Sequence, residues 1–287
     1  MNKQIEELST KYTQAISGEA GMVAATGKAR FAGYAHEQLA SLPSNFADSS
    51  FGCGDPVTFS GIELGQTVLD LGSGVGLDLV LAAEKVGSAG RVIGIDVTPA
   101  MIERARQNIA QTEHRNIEVR QGFIESLPVE TGSVDWVISN CVINLSPNKK
   151  QVFEEIARVL KPGGRMLVSD IVAENLPWWV RRSGLLSAAC VSGAISESAY
   201  LSGLTAAGLR ACQIVARQHY EPVQMAAVVV EALPSAMTNI TCCGRPLART
   251  LLTRVAKPIA DKLWSARIYA EKPQRTPVAL PTPCEQR

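Results

Sequence analysis

The sequence predicts an α/β chain built on a doubly wound, mostly parallel sheet, and three observations carry that expectation. Short apolar runs at residues 68–71, 92–95, 117–119, 134–139 and 166–171 are separated by longer segments of helical character. The runs are mostly continuous instead of alternating with polar residues, as strands covered on both faces should be. The first run ends in Asp70 and breaks at once into Gly72, Gly74 and Gly76, at every second position, before an apolar segment long enough for a helix. Glycine reaches positive φ without steric cost, and a helix N-terminus offers unpaired N–H groups. This stretch therefore reads as strand, tight turn and helix, with the turn open to a ligand.

Ile5, Leu8, Tyr12 and Ile16 recur every three to four residues, which fits an amphipathic N-terminal helix. Residues 51–56 read as a loop from their glycines and proline. Thr98-Pro99 is a cap followed by proline at the first helical position and opens a helix over 100–110. Ser146-Pro147 repeats the device before 151–160, where Val152, Phe153, Ile156, Val159 and Leu160 form one apolar stripe. Lys161-Pro162-Gly163-Gly164 stops that helix. Beyond Asp170 the pattern predicts a helix over 183–192, a small-residue stretch to Ala207 and a strand over 211–217. Residues 219–262 carry no clear pattern, 264–270 alternate as a last strand, and the proline-rich tail from Lys272 is expected to be disordered. The resulting organisation is an N-terminal helical region (1–50), a core (51–175), an insertion with the sixth strand (176–218), a variable region with the last strand (219–271) and the tail (272–287).

A length of 287 residues and 46% hydrophobic content are ample for a core. The formal net charge of +1 gives no reason to expect nucleic acid or an anionic membrane as partner. The N-terminus lacks the apolar centre of a signal peptide, and no apolar run approaches the roughly 18–20 residues of a membrane span. A soluble, cytoplasmic protein is the expectation. Seven cysteines, at 53, 141, 190, 212, 242, 243 and 284, argue against a disulfide scaffold, and His36, His114 and His219 are too scattered for a conventional zinc site.

Two sets of residues point to chemistry. Asp96 ends the second apolar run, 20 residues after Gly76, where an acid can accept both ribose hydroxyls of a nucleoside. The position three after the second glycine holds Leu77, so the cadence is not that of the dinucleotide fingerprint. Cys53 precedes the first strand, Cys141 follows the fourth and Cys190 lies after the fifth, 88 and 49 residues apart. A doubly wound sheet can gather all three over its carboxyl edge, although a single cysteine is more often a small buried hydrophobe.

Asp70-Leu71-Gly72-Ser73-Gly74-Val75-Gly76 with the downstream Ile95-Asp96 resembles motif I of class I S-adenosylmethionine-dependent methyltransferases. With Phe51-Gly52-Cys53-Gly54-Asp55-Pro56, Ser139-Asn140-Cys141-Val142-Ile143-Asn144-Leu145, Lys161-Pro162-Gly163-Gly164, Ser169-Asp170-Ile171-Val172 and Cys190-Val191-Ser192-Gly193-Ala194, the chain over roughly 33–212 is similar to the arsenite S-adenosylmethionine methyltransferases. The resemblance implies a Rossmann-like fold whose leading helices form a lid and whose insertion binds substrate. It implies a cofactor held by Asp70, Gly72, Ser73, Gly74, Gly76, Asp96, Thr98 and Asn140. Phe123 stands where many relatives have Asp, so the adenine would meet backbone near Ile124, assisted by Glu125. Trivalent arsenic would be held by Cys141 and Cys190, with Cys53 as third ligand or disulfide partner, and thioredoxin or glutathione would act as reductant.

The chemistry agrees with that resemblance. Soft thiolates select soft, thiophilic centres. Three-coordinate arsenic keeps a lone pair that can attack a sulfonium methyl without a general base, so the lack of an evident catalytic dyad is in keeping. Attack oxidises arsenic formally, and protein thiols can return two electrons by forming a disulfide. Cys53, between Gly52 and Gly54, is the expected participant in that relay. Two other readings stay open: a quinone-type methyltransferase in which the cysteines only pack, and a non-catalytic thiol-based arsenic-binding protein.

Overall fold

Strand and helix segments fold into one seven-stranded sheet in a computed structural model that describes residues 9, 10, 13, 34, 54–176, 178, 190–219, 241, 242, 245, 246 and 261–274. In chain order the elements are β1 (Thr67–Leu71), α1 (Leu77–Val86), β2 (Arg91–Asp96), α2 (Pro99–Ala110), β3 (Ile117–Gln121), β4 (Val134–Asn140), a 3-10 turn (Ile143–Leu145), α3 (Lys149–Val159) and β5 (Leu160–Ala173). There follow α4 (Glu197–Ala206), β6 (Arg210–His219), a short pair β7 (Thr241–Cys242) and β8 (Arg245–Pro246), and β9 (Leu263–Glu271). The sheet order is β3-β2-β1-β4-β5-β9-β6. β1 to β5 run parallel, and β9 lies antiparallel between β5 and β6.

Successive side chains of a strand point to opposite faces, so continuous apolar runs supply two cores at once. On one face Val68, Val92, Trp136, Ile138 and Leu167 pack with Leu79, Val80 and Ala83 of α1 and Ile102 and Ala105 of α2. On the other Leu69, Leu71, Ile93, Ile95, Val137 and Met166 pack with Val152, Phe153, Ile156 and Val159 of α3 and Tyr200 and Leu204 of α4. Each such fully buried aliphatic side chain contributes about 1.5–3 kcal/mol relative to exposure. A third, smaller cluster sits at the carboxyl edge and contains Cys141, Ile171, Ala173, Cys190, Val191, Ala194 and Leu263.

Several expectations are corrected. The cap of α3 is Asn148, whose side chain accepts from the Gln151 N–H. Ser146 is instead drawn to Glu125. Thr98 does precede α2, yet its side chain makes no capping bond. The Lys161-Pro162-Gly163-Gly164 segment ends α3 but does so inside β5 rather than in a free loop. Residues 190–192 are turn, not helix. The small-residue stretch contains α4, capped by Ser196 accepting from the Ala199 N–H; small side chains carry little periodic signal. Lys272, expected to open a disordered tail, is tied to β5: its N–H donates 2.8 Å to the Gly164 carbonyl and its carbonyl accepts from Gly163 N–H at 2.9 Å. Ser9, Thr10 and Thr13 are helical, whereas Ile5, Leu8, Tyr12 and Ile16 of the expected N-terminal helix, Cys53, the segment 183–189 and residues 275–287 lie outside the described residues. No helix among the described residues is long and apolar enough to cross a membrane.

Candidate active site at the carboxyl edge of the sheet

The turn after β1 is fixed by β2. The N–H groups of Gly72 and Ser73 both donate to the Ile95 carbonyl, at 2.8 and 3.0 Å. Gly74 N–H donates to the Asp96 carboxylate at 2.9 Å, and the other carboxylate oxygen accepts from Thr98 N–H at 2.8 Å. Gly74 has φ +52°, and a Cβ placed on it would meet nothing within 4 Å, so space opens above the turn. The Ser73 hydroxyl is buried and has no hydrogen-bond partner in the protein. Gly76 stands at the start of α1 with φ 92° and no side-chain cap, leaving that helix end to backbone groups.

Beside the turn, acids gather in a dry environment. Burial first, then Asp78 and Asp96, pushes Asp70 well above the usual carboxylate range. Burial raises Asp78 to about 7 against the opposing donors Tyr34 and Asn140. Burial also raises Asp96, although the N–H groups of Thr98 and Gly74 favour its charged form. The Tyr34 hydroxyl donates to Asp78 at 2.7 Å. Asn140 Nδ2 lies within hydrogen-bond reach of the Tyr34 hydroxyl, the Gly54 carbonyl and Asp78, while its Oδ1 accepts from Gly54 N–H at 3.2 Å. Asn140, which precedes Cys141, therefore clasps Gly54, which follows Cys53 in sequence.

The thiol residues come together next to the turn. Cys141 N–H donates 2.8 Å to the Ser169 carbonyl, and the Cys190 sulfhydryl donates to the Cys141 carbonyl at 2.7 Å. Both residues are left-handed, with φ 62° and 59°, a conformation that costs a non-glycine residue roughly 1–2 kcal/mol. Such cost persists where surrounding structure enforces it. Val142 packs against the glycine turn: a Cβ on Gly72 would stand 2.4 Å from its Cγ2. The Cys141–Cys190 contact and the open cradle are thus neighbours. Cys141 is half of a disulfide, and Cys190 is a free thiol. Burial, with Asp170 adding to it and Lys149 opposing, pushes the Cys190 thiol far up.

Of the residues singled out in the sequence, Asp70, Gly72, Ser73, Gly74, Gly76, Asp96, Thr98, Asn140, Cys141 and Cys190 converge on this edge. Asn140 spends its amide on Tyr34, Gly54 and Asp78 rather than facing open space. Ile124 packs on the core, and Glu125 accepts from the Ser146 hydroxyl. The placement of Cys53 lies outside the described residues. Sequence reading missed Tyr34, Lys149, Asp170 and Gly193, all of which lie against these groups. Asp170 and Gly193 were quoted only within motifs, and Tyr34 and Lys149 carry no local pattern that marks them.

A family model described as a methyltransferase domain matches residues 62–225, more than half of the chain. An arsenite methyltransferase of Halobacterium salinarum is 44% identical over 204 residues, covering 69% of this chain and 52% of that protein. A demethylmenaquinone methyltransferase of Lactococcus lactis is 38% identical over 113 residues, 39% of this chain and 45% of that protein. Among solved structures, an arsenic(III) S-adenosylmethionine methyltransferase of Chlamydomonas reinhardtii aligns with a TM-score of 0.65 at 29% identity, covering 84% of this chain and 74% of that one. The chain spans about half the length of the curated relatives it matches. The matched residues include the five parallel strands and the glycine turn, and by that match the chain belongs to the methyltransferase-domain family with the class I methyltransferase fold.

Proposed function

We propose that the chain transfers methyl groups from S-adenosylmethionine to trivalent arsenic held by Cys141 and Cys190. The observation that carries the reading is the Cys190 sulfur 2.7 Å from the Cys141 carbonyl, in a turn that packs on the glycine cradle through Val142. The likeness to arsenite methyltransferases supports it.

The cradle fits the cofactor on its own terms. Open space at Gly74, a buried Ser73 hydroxyl without a partner and the Asp96 carboxylate at the tip of β2 suit a ribose and its neighbours. When bound, S-adenosylmethionine supplies an electrophilic methyl on a positively charged sulfur. The residues of this chain bind and orient. Asp70, Asp78 and Asp96 surround the cradle with acid, Tyr34 and Asn140 close one side, and the apolar cluster around Cys141 and Cys190 excludes water.

Arsenic enters by exchange. Each hydroxyl on arsenous acid leaves with the proton of one thiol as water, and an As–S bond replaces As–O and S–H. A buried neutral thiol suits that exchange, because no unpaired thiolate has to be stored in a dry pocket. The disulfide at Cys141 must first be reduced, and thioredoxin or glutathione is the proposed electron donor, which sets the chain in the reducing cytoplasm. Holding arsenic against the methyl carbon contributes up to about 7–11 kcal/mol through proximity.

Incubating the reduced protein with arsenite, S-adenosylmethionine and a thiol reductant tests the reading. Methylated arsenic and S-adenosylhomocysteine in step are the expected products. Cofactor binding with no arsenic bound, or arsenic bound with no methyl transferred, overturns it.

A further inference from the structure

Gly193 lies three residues after Cys190, and its backbone presses on the chain that follows Cys141. A Cβ built on Gly193 would stand 2.1 Å from the Asn144 carbonyl oxygen, inside any permitted contact, and 3.6 Å from Lys149 Nζ. Its φ is not left-handed, so the glycine answers to this approach and not to a backbone demand. Whether a larger residue fits depends on which partner can move.

Asn144 cannot move. Its side-chain Nδ2 donates to the buried Asp170 carboxylate at 2.8 Å and to the Ile171 carbonyl at 2.6 Å, both at the end of β5. Its carbonyl accepts from Lys149 Nζ at 3.2 Å, and the same ammonium reaches the Ser146 carbonyl at 3.1 Å. Asp170 is further held by Ile171 N–H at 2.9 Å and faces the Tyr200 hydroxyl. The far end of the Cys190 turn is pinned as well, since Ala173 N–H donates to the Ile195 carbonyl at 3.0 Å and Ala194 N–H to Val191 at 3.2 Å. With Asn144 held by these bonds, relief of a Cβ clash at Gly193 would fall on the turn that carries Cys190.

We infer that Gly193 is a positioning residue: seated on the Asn144 carbonyl, it sets the spacing between the sulfurs of Cys190 and Cys141 so that one arsenic atom can bind both. This rests on the dithiol reading above. Lys149 belongs to the same device, because it fixes the carbonyl on which Gly193 rests. The inference separates two kinds of arsenical. Monomethylarsonous acid has two exchangeable hydroxyls and can take both thiols, releasing two waters. Dimethylarsinous acid has one and takes a single thiol, releasing one water, so sulfur spacing does not matter to it.

Equilibrium dialysis of the reduced full chain with each acid, and with S-adenosylhomocysteine as a measure of the cradle, tests this. For Gly193→Ala the expected result is a loss of about 10²-fold on monomethylarsonous acid, the lower end of what a second attachment gives, with less than about threefold change on dimethylarsinous acid and S-adenosylhomocysteine. Lys149→Met should show the same selectivity with a smaller loss, and Lys149→Arg should restore it. If Gly193→Ala fails to bind S-adenosylhomocysteine, the Lys149 pair decides in the same terms. Equal losses on both arsenicals, or none, overturn the inference. A wild-type protein that prefers neither acid removes the dithiol reading itself, whereas a preference that survives both substitutions removes only the role of Gly193.

Discussion

The glycine cradle and the thiol shelf sit side by side at the same sheet edge, yet they are built in opposite ways. The cradle is one short loop after β1, held by β2 through Ile95 and Asp96 and rigid because its partners lie on the neighbouring strand. The shelf is assembled from four segments, with Cys141 after β4, Asn144 in the 3-10 turn, Asp170 at the end of β5 and the Cys190–Gly193 turn. In the cradle glycines accept the unusual backbone. In the shelf two cysteines carry left-handed φ themselves, and a buried polar network holds them there. The difference teaches that an open turn can be written in consecutive residues, whereas the two cysteines meet only because separate parts of the chain are packed at one sheet edge.

The largest expected effect falls on the shelf. Cys141→Ser or Cys190→Ser should weaken binding of monomethylarsonous acid by about 10²–10⁴-fold, as one of two attachments is lost, with S-adenosylhomocysteine binding within about threefold of wild type. A parallel loss of both ligands would break the separation of the two regions. Next comes the acid beneath the shelf. Burial raises Asp170 to about 7. The folded chain therefore holds that proton more tightly than the unfolded one. The stabilisation is complete below about pH 4, fades as pH rises and is gone above about pH 7, a change of up to about 4 kcal/mol. Asp170→Asn keeps acceptors for Asn144 and Ile171, so denaturant unfolding between pH 4 and 8 should show a flatter profile in the variant.

Smaller effects test the cradle. Asp96→Asn turns one acceptor into a donor facing Gly74 N–H or Thr98 N–H, which should cost about 1.5–3 kcal/mol, or roughly 10–100-fold in S-adenosylhomocysteine affinity, and leave arsenical binding intact. Ser73→Ala removes a hydroxyl that has no partner in the protein. Its stability should stay within about 0.5 kcal/mol of wild type while cofactor affinity, read by calorimetry, falls by about 2–10-fold.

Much of this was legible in the residues alone. Continuous apolar runs marked all five parallel strands, and the stripe of Val152, Phe153, Ile156 and Val159 marked α3, because burial on two faces or one leaves a periodic trace. α4 escaped, since Gly203, Ala199 and Ser198 give a helix no contrast between faces. Asn140 was legible as a site residue but not as a clasp, for its partners Tyr34 and Asp78 are 106 and 62 residues away.

What the sequence by itself determined is the alternation of strand and helix, the glycine turn with its acid at Asp96, and the presence of three cysteines whose meaning depended on distance. Local spacing suffices there because each feature is completed by residues a few positions off or by the next strand. Only the tertiary structure decided that Cys190 reaches the Cys141 carbonyl, that Asn140 joins Gly54 to Asp78 and that Gly193 rests on Asn144. Those contacts join segments whose approach is set by the packing of the whole sheet edge, and no run of neighbouring residues encodes them.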